Sequence, residues 1–262
     1  MGSRTRTRLE SRSIMKLTLD TTKTIEENAA FFFEKAKKAK KKRAGVENIL
    51  SLTQTKVNKQ EEEKKEIKIY ANLPQKKWFM KFRWFISSDG FLCLGGKDAT
   101  TNEMIIKKYC DKEDLVFHTD LAGSPFFVIK AEKKVIPQKT KEEVAQATVS
   151  FSRAWNQGLT TAEVYAISPE QVKKEFGLPK GTFMIHGKRE YFKPIVQLYI
   201  GINEEKYLEC SPVKKEFLLK QGGKKTDTAK KLQHKYIEKY NLKYPLDDIM
   251  SVLPGECSVD TQ

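Results

Sequence analysis

The stretch Trp84-Phe85-Ile86-Ser87-Ser88-Asp89-Gly90-Phe91-Leu92-Cys93-Leu94-Gly95-Gly96-Lys97-Asp98-Ala99 decides how this chain is read. Two short apolar segments flank Ser-Asp-Gly, a turn sequence that predicts a β-hairpin. Gly95-Gly96 ends the second strand, and the Asp98 carboxylate is placed to cap a helix over Ala99–Lys108 that contains Asn102 and Glu103. Gly-Gly-Lys before a helix N-terminus can offer backbone amides to a phosphate. The P-loop spacing G-x-x-x-x-G-K-[ST] is absent.

Upstream lies Lys76-Lys77-Trp78-Phe79-Met80-Lys81-Phe82-Arg83-Trp84-Phe85, in which cations alternate with aromatic rings. The mixture suits stacking on bases and pairing with phosphates. It equally suits a strand with rings inward and cations outward. Downstream, Asp114–Asp120 reads as a strand with His118 and Asp120 at i, i+2 on one side. A His beside a carboxylate can act as a base, ligate a metal or orient a phosphate contact. No third ligand stands at metal-site spacing, so no metal is expected. Leu121-Ala122-Gly123-Ser124-Pro125 is a turn before an apolar strand, Phe126–Ile129. A helix follows over Thr140–Trp155, with Thr140 as its cap and Glu143 completing a capping box. Then come a strand at Glu163–Ile167, a short helix opened by Ser168-Pro169, a turn, strand and basic loop over Pro179–Arg189, and a strand at Val196–Ile200. The alternation of periods predicts an α+β fold: a mixed β-sheet covered by helices.

The N-terminal region differs. Thr24 and Glu27 have capping-box spacing. Ile25, Ala29, Phe32, Ala36 and Ala39 then recur at heptad intervals, and Val46, Leu50 and Val57 continue the register past breaks at Arg43 and Thr53. This predicts a projecting helix whose seam packs either on the chain's own globular domain or on another segment or chain. Lys35, Lys37, Lys38, Lys40, Lys41, Lys42 and Arg43 crowd its outer face, as a solvated surface or as contacts for a phosphate backbone. Residues 58–66, charged and of low complexity, read as a frayed end or linker, and Ile67, Ile69 and Tyr70 as the start of a strand-like region. The first 14 residues contain four Arg and no periodicity, and are set aside as a leader or cloning scar.

Composition bounds the answer. The 262 residues carry 49 Lys+Arg against 34 Asp+Glu, a net charge of +15 that points to a polyanionic partner, nucleic acid above all. No apolar run approaches the roughly 20 residues of a membrane span, and no secretory signal opens the chain. Cys93, Cys110, Cys210 and Cys257 are scattered, which argues against zinc or a disulfide framework and for a cytoplasmic setting. The positive excess concentrates in residues 1–69 and 201–243, whereas residues 244–262 hold no basic residue.

Three segments in order resemble the NFACT-R domain of the NFACT family, the ribosome quality-control tail-synthesis factors also known as fibronectin-binding-like proteins. They are WFISSDGFLCLGGKDATTNE, DLVFHTDLAGSPFFVIK and GTFMIHGKREYF, and the resemblance covers roughly residues 67–200. LTLDTTKTIEENAAFFFEKAKKAKKK resembles the returning helix of the family's middle coiled coil. Residues 224–255 resemble the appendix of archaeal members, with Leu253-Pro254-Gly255-Glu256 where those end in Leu-Pro-Pro-Gly. The resemblance implies RNA binding on the large ribosomal subunit or tRNA, with no cofactor. By motif position it implies contacts from Gly95, Gly96, Lys97, Asp98 and Asn102, from His118, Asp120, Gly123 and Ser124, and from His186, Gly187, Lys188 and Arg189.

The family's N-terminal domain, with its Asp-Arg pair for tailing, has no counterpart in these residues, nor have the helix-hairpin-helix domain and the outgoing coiled-coil helix. The seam is therefore expected to pair in trans with a separately encoded N-terminal half, or to self-associate. The expected division is a leader (1–14), a basic coiled-coil-type helix and linker (15–66), an RNA-binding domain (67–200) and a small helical appendage (201–262). The expected role is that of a binding module and not an enzyme. The competing reading is a free-standing RNA-processing or tRNA-maturation enzyme that uses His118 and Asp120.

Overall fold

A computed structural model describes residues 18–70, 73–121 and 123–259, so the expected leader falls outside the described residues. The chain divides into two compact units, with the boundary between Lys64 and Lys65.

The first unit is built on α1 (Ile25–Tyr70). Its capping box forms as the spacing predicts: the Thr24 amide donates to Glu27 Oε2 at 2.9 Å and the Glu27 amide to Thr24 Oγ1 at 3.2 Å. The buried Asn28 accepts from the Asp20 amide at 2.9 Å and donates to the Asp20 carbonyl at 2.9 Å, tying the preceding segment to the first turn. The helix does not fray at residues 58–66, nor does a strand begin at Ile67; α1 continues through both to Tyr70. Glu and Lys are strong helix formers. A low-complexity charged run therefore extends the helix, and two alternating isoleucines are too few to end it.

In the second unit the chain order is β1 (Arg83–Ile86), β2 (Leu92–Gly95), α2 (Ala99–Lys108), β3 (Leu115–His118), β4 (Phe127–Ile129), α3 (Gln138–Ser150), α4 (Arg153–Asn156), β5 (Val164–Ile167), β6 (Val172–Lys173), β7 (Met184–Ile185), β8 (Glu190–Phe192), β9 (Leu198–Ile202), β10 (Leu208–Ser211), β11 (Phe217–Gln221), α5 (Lys225–Tyr240), α6 (Leu246–Val252) and β12 (Cys257–Val259). Six strands form one sheet in the order β1-β2-β4-β3-β5-β8, four form a second in the order β10-β9-β11-β12, and β6 pairs with β7. The α+β expectation holds, but the described pairings are all antiparallel where a mixed sheet was expected. The reason is where α2 delivers the chain. It carries β2 to β3 two positions away, and β4 inserts between them antiparallel to both.

Alternation along the six-stranded sheet buries both faces. Phe85, Cys93, Phe117, Phe127 and Ala166 join a core with α3, the second sheet, α5 and α6. Trp84, Leu94, Val116, Val128 and Tyr165 join another with Ile105 of α2 and Phe183. The aromatic segment that runs into β1 is thus largely core: Phe82, Trp84 and Phe85 are buried. Trp78, on a single 3-10 turn, is 52% exposed and stacks on Tyr109 with ring centroids 4.9 Å apart.

Helix α3 starts two residues before the expected Thr140 cap, with Pro137 preceding it. Thr140 and Glu143 hold the β1–β2 turn instead. The Thr140 hydroxyl bonds to Asp89 Oδ2 at 2.7 Å, and Glu143 accepts from the Ser88 amide at 2.9 Å and from the Ser88 hydroxyl. No helix among the described residues is long and apolar enough to cross a membrane.

Candidate nucleic-acid interface

A cleft of about 650 Å³ draws its lining from all three signature segments. Gly96, Lys97, Asp98 and Asn102 come from the β2–α2 junction, His118, Asp120, Gly123 and Ser124 from the end of β3 and the turn after it, and Arg189 from the loop before β8. Residues separated by up to 93 positions in sequence (Gly96 to Arg189) therefore share one concave surface.

The first segment is shaped by its own hydrogen bonds. Asp98 caps α2 as expected, with Oδ1 accepting from the Thr101 amide at 2.8 Å. The amides of Lys97 and Asp98 both donate to Thr101 Oγ1, at 2.8 and 2.9 Å, and the Gly96 amide donates to the Phe126 carbonyl at 3.1 Å. These amides are occupied, so the Gly-Gly-Lys junction does not act as a backbone phosphate cradle. Asn102 Oδ1 accepts from the Phe126 amide at 3.1 Å and joins α2 to the start of β4. That bridge passes over Gly96, where a Cβ would stand 1.8 Å from Asn102 Oδ1. Gly95 lies beneath the surface, where a Cβ would meet the Phe127 ring at 2.4 Å. The cation that this segment offers to the cleft is Lys97.

In the second segment β3 ends at His118, so Asp120 lies beyond the strand and the i, i+2 alternation does not govern it. His118 stacks on Phe126, centroids 4.1 Å apart, and its Nδ1 lies 3.2 Å from the Tyr165 hydroxyl. Burial pulls its pKa down to about 4, against the opposing charge of Asp120, so the ring is neutral at pH 7. Asp120 instead faces Arg189, with Nη1 to Oδ1 at 3.4 Å. No direct hydrogen bond joins His118 to Asp120 among those described, and a base with so low a pKa is weak. Ser124 is buried in the turn, with its amide donating to the Leu121 carbonyl at 3.2 Å.

The third segment divides. Arg189 lies in the cleft with its guanidinium 4.3 Å from the Tyr165 ring centroid. Lys188 lines a neighbouring groove with Ser168 and Gln171. His186 is exposed, its Nε2 3.2 Å from Glu175 Oε1. Gly187 packs beside Gln171, whose amide nitrogen donates to the carbonyls of His186 at 2.6 Å and Lys188 at 2.8 Å and so fixes the loop.

Sequence patterns singled out neither Lys180 nor Arg83 as a site residue, yet both line the cleft. Glu103 positions Lys180: its Oε2 accepts from the Gly181 amide at 2.9 Å, and the Lys107 hydrogen bond, then that amide, hold its pKa down to about 2. Gly181 has φ +76 and its Cβ would fall 2.6 Å from the Ala99 backbone, so only glycine lets this loop close on α2. Arg83 stands in the sequence as one cation among aromatics, and its depth in the fold gives no periodic signal. The cleft thus holds four cations, Arg83, Lys97, Lys180 and Arg189, against two carboxylates, Asp98 and Asp120. Among the described residues no cluster of His, Cys, Asp and Glu is arranged to hold a metal.

Residues 81–187 match the NFACT protein RNA binding domain. The chain is 39% identical over 204 residues to the archaeal Rqc2 homolog aRqcH of Methanocaldococcus jannaschii, covering 71% of this chain and 30% of that protein. It is 32% identical over 186 residues to the ribosome quality control complex subunit NEMF homolog of Drosophila melanogaster, covering 67% and 18%. It is 33% identical over 180 residues to the ribosome quality control complex subunit NEMF of Homo sapiens, covering 66% and 15%. The chain therefore spans less than a third of the length of these relatives. Taken with the three ordered signatures and the cleft they build, these matches show that the chain belongs to the NFACT family.

Proposed function

We propose that this chain is an RNA-binding module of ribosome quality control, contacting large-subunit rRNA, tRNA or both through the cleft. The observation that carries this reading is the cleft itself, in which three signature segments converge and cations outnumber carboxylates two to one. Arg and Lys in a concave site neutralise phosphates, and release of counterions makes such binding steeply salt-dependent. Within this reading Lys97 and Arg189 contact RNA directly. Gly95, Gly96, Asp98, Asn102, Gly123, Ser124 and Gly187 shape the surface that presents them. His118 and Asp120 position Arg189, and His186 and Lys188 extend the contact outside the cleft.

The helical unit supplies the second half of the reading. Ile25 is 85% exposed and Ala29, Ala36 and Ala39 are exposed with it, while Phe32 is half-buried. An apolar heptad seam left in water favours association. It pairs with an N-terminal half of the same family, or with a second copy of this chain.

Binding of the full chain to large ribosomal subunits and to tRNA, titrated with potassium chloride, tests the RNA reading. Affinity should fall steeply with salt, and RNase treatment of the subunits should abolish association. Salt-independent, RNase-insensitive association would overturn it.

A further inference from the structure

Arg83 and Lys97 differ from the other cations of the cleft. Arg189 has Asp120, and Lys180 stands in water. Arg83 and Lys97 are half-buried, and neutral groups hold them. Arg83 Nη1 donates to the Leu253 carbonyl at 3.5 Å, and its guanidinium lies 4.2 Å from the Phe151 ring centroid. Lys97 Nζ donates to the Met80 carbonyl at 3.4 Å. Lys225 Nζ donates to the same Leu253 carbonyl at 3.3 Å, so one neutral oxygen serves two cations. Among the described residues no carboxylate lies within ion-pair distance of these three side-chain cations. Burial draws the Arg83 pKa down to about 10, and burial, then the charge of Arg83, lowers those of Lys97 and Lys225. The charges of Asp98 and Asp248 near Lys97, and of Glu256 near Lys225, oppose that shift without forming a direct ion pair. Partly buried cations without a direct ion pair are destabilising. An anion entering here gains an interaction that the protein leaves unmade.

The depth of the site selects the form of that anion. Arg83 and Lys97 also border a small void with Phe82, Trp84, Phe151, Cys210 and Val252, away from the exposed Lys180 at the rim. A cleft of about 650 Å³ is of the size that encloses one small ligand. A duplex carries its phosphates on a convex surface and meets the rim, whereas a single strand can turn one phosphate inward. The Leu253-Pro254-Gly255-Glu256 turn, which the cleft does not otherwise use, backs this floor. Its Glu256 carbonyl accepts from Trp155 Nε1 at 2.9 Å and from the Gly222 amide at 3.1 Å, which fixes the Leu253 carbonyl under Arg83.

We infer that Arg83 and Lys97, backed by Lys225, form a subsite for one phosphate group of single-stranded RNA. The inference rests on the RNA-binding reading of the cleft and adds to it the strand type and the point of deepest contact. The same chemistry is offered by a bridging phosphodiester, by a terminal phosphate and by free phosphate.

The test uses the full chain with four probes: a single-stranded oligoribonucleotide with a 5′-phosphate, the same strand with a 5′-hydroxyl, a blunt RNA duplex of equal phosphate count, and inorganic phosphate. Both single strands should bind at least tenfold more tightly than the duplex. Inorganic phosphate should compete with them and raise the melting temperature above that in chloride at equal ionic strength. A preference of tenfold or more for the 5′-phosphate identifies a terminal group as the source, and equal binding identifies a phosphodiester. Arg83→Met and Lys97→Met should each weaken single-strand binding at least tenfold, change duplex binding less than threefold and remove the stabilisation by phosphate. Arg83→Met should melt no lower than the parent, because a methionine fills the apolar site without an unpaired charge; if it fails to fold, Lys97→Met carries the test. Parental single-strand affinity in Lys97→Met and in folded Arg83→Met would overturn the subsite and leave the RNA reading intact. Absence of RNA binding by the parent at low salt would overturn that reading itself.

Discussion

The guanidinium of Arg189 lies 4.3 Å from the ring centroid of Tyr165, on the strand next to β3, and this contact links the third signature to the second. The Tyr165 hydroxyl reaches His118 Nδ1 at 3.2 Å, and Arg189 also faces Asp120 at 3.4 Å. Arg189 is thereby aimed but partly neutralised. Replacing Asp120 with Asn removes the competing charge and keeps the shape, so D120N should bind RNA severalfold more tightly than the parent at low salt. Arg189→Ala should weaken binding, and Arg189→Lys should restore it only in part, since an ammonium lacks the planar fork that covers Tyr165. A filter-binding series on the three variants checks this, and weaker binding by D120N would contradict it.

Stability should depend on His118 between pH 6.5 and pH 4. Its folded pKa of about 4 lies below the unfolded value, so within that window the unfolded chain holds a proton that the folded chain lacks. Stability is therefore complete above pH 6.5, falls as pH drops toward 4, and has no further His118 component below that. The full effect is roughly 3 kcal/mol at about 1.4 kcal/mol per pH unit. Urea denaturation of the parent and of H118Q at pH 6.8 and 4.5 isolates it. H118Q should lose much less stability on acidification than the parent, and equal losses would rule the assignment out.

Gly96 and Gly95 should act through packing. A Cβ at Gly96 would stand 1.8 Å from Asn102 Oδ1, and one at Gly95 would lie 2.4 Å from the Phe127 ring. Gly96→Ala should break the Asn102–Phe126 bridge and Gly95→Ala should overpack the sheet, each costing on the order of 1–3 kcal/mol. Equilibrium urea unfolding reads this directly. Unchanged stability with lost RNA binding would instead assign these glycines to the RNA contact.

These glycines show how far the sequence could be read. The β1–β2 hairpin, the Asp98 cap and the Thr24–Glu27 box follow from local rules, in which a turn or cap residue bonds within a few positions of itself. The convergence of Lys97, His118 and Arg189 was legible only as three ordered motifs, because it depends on which strands become neighbours. Thr140 and Glu143 have capping spacing but bind the distant Ser88–Asp89 turn, and no local rule separates the two outcomes. Residues 58–70 differ for the opposite reason: a charged, low-complexity run reads as a break, although Glu and Lys favour the helix. Lys180 and Arg83 carried no pattern, because Glu103 places one across the fold and burial places the other.

The seam of α1 should govern association. Sedimentation equilibrium of the full chain should show reversible self-association, or a stable complex once a family N-terminal half is supplied. Phe32→Glu combined with Ala36→Glu should abolish either, because a carboxylate in an apolar seam must shed its water. A chain that stays monomeric and binds no such half would remove the coiled-coil part of the account.

On the proposed reading, RNA is held in the cleft and not on the basic run of α1. Ultraviolet crosslinking of bound RNA in cells, followed by mass-spectrometric mapping of the modified peptides, tests it most directly. Adducts should concentrate in residues 96–102, 118–126 and 180–189. Adducts confined to residues 35–43 would contradict it.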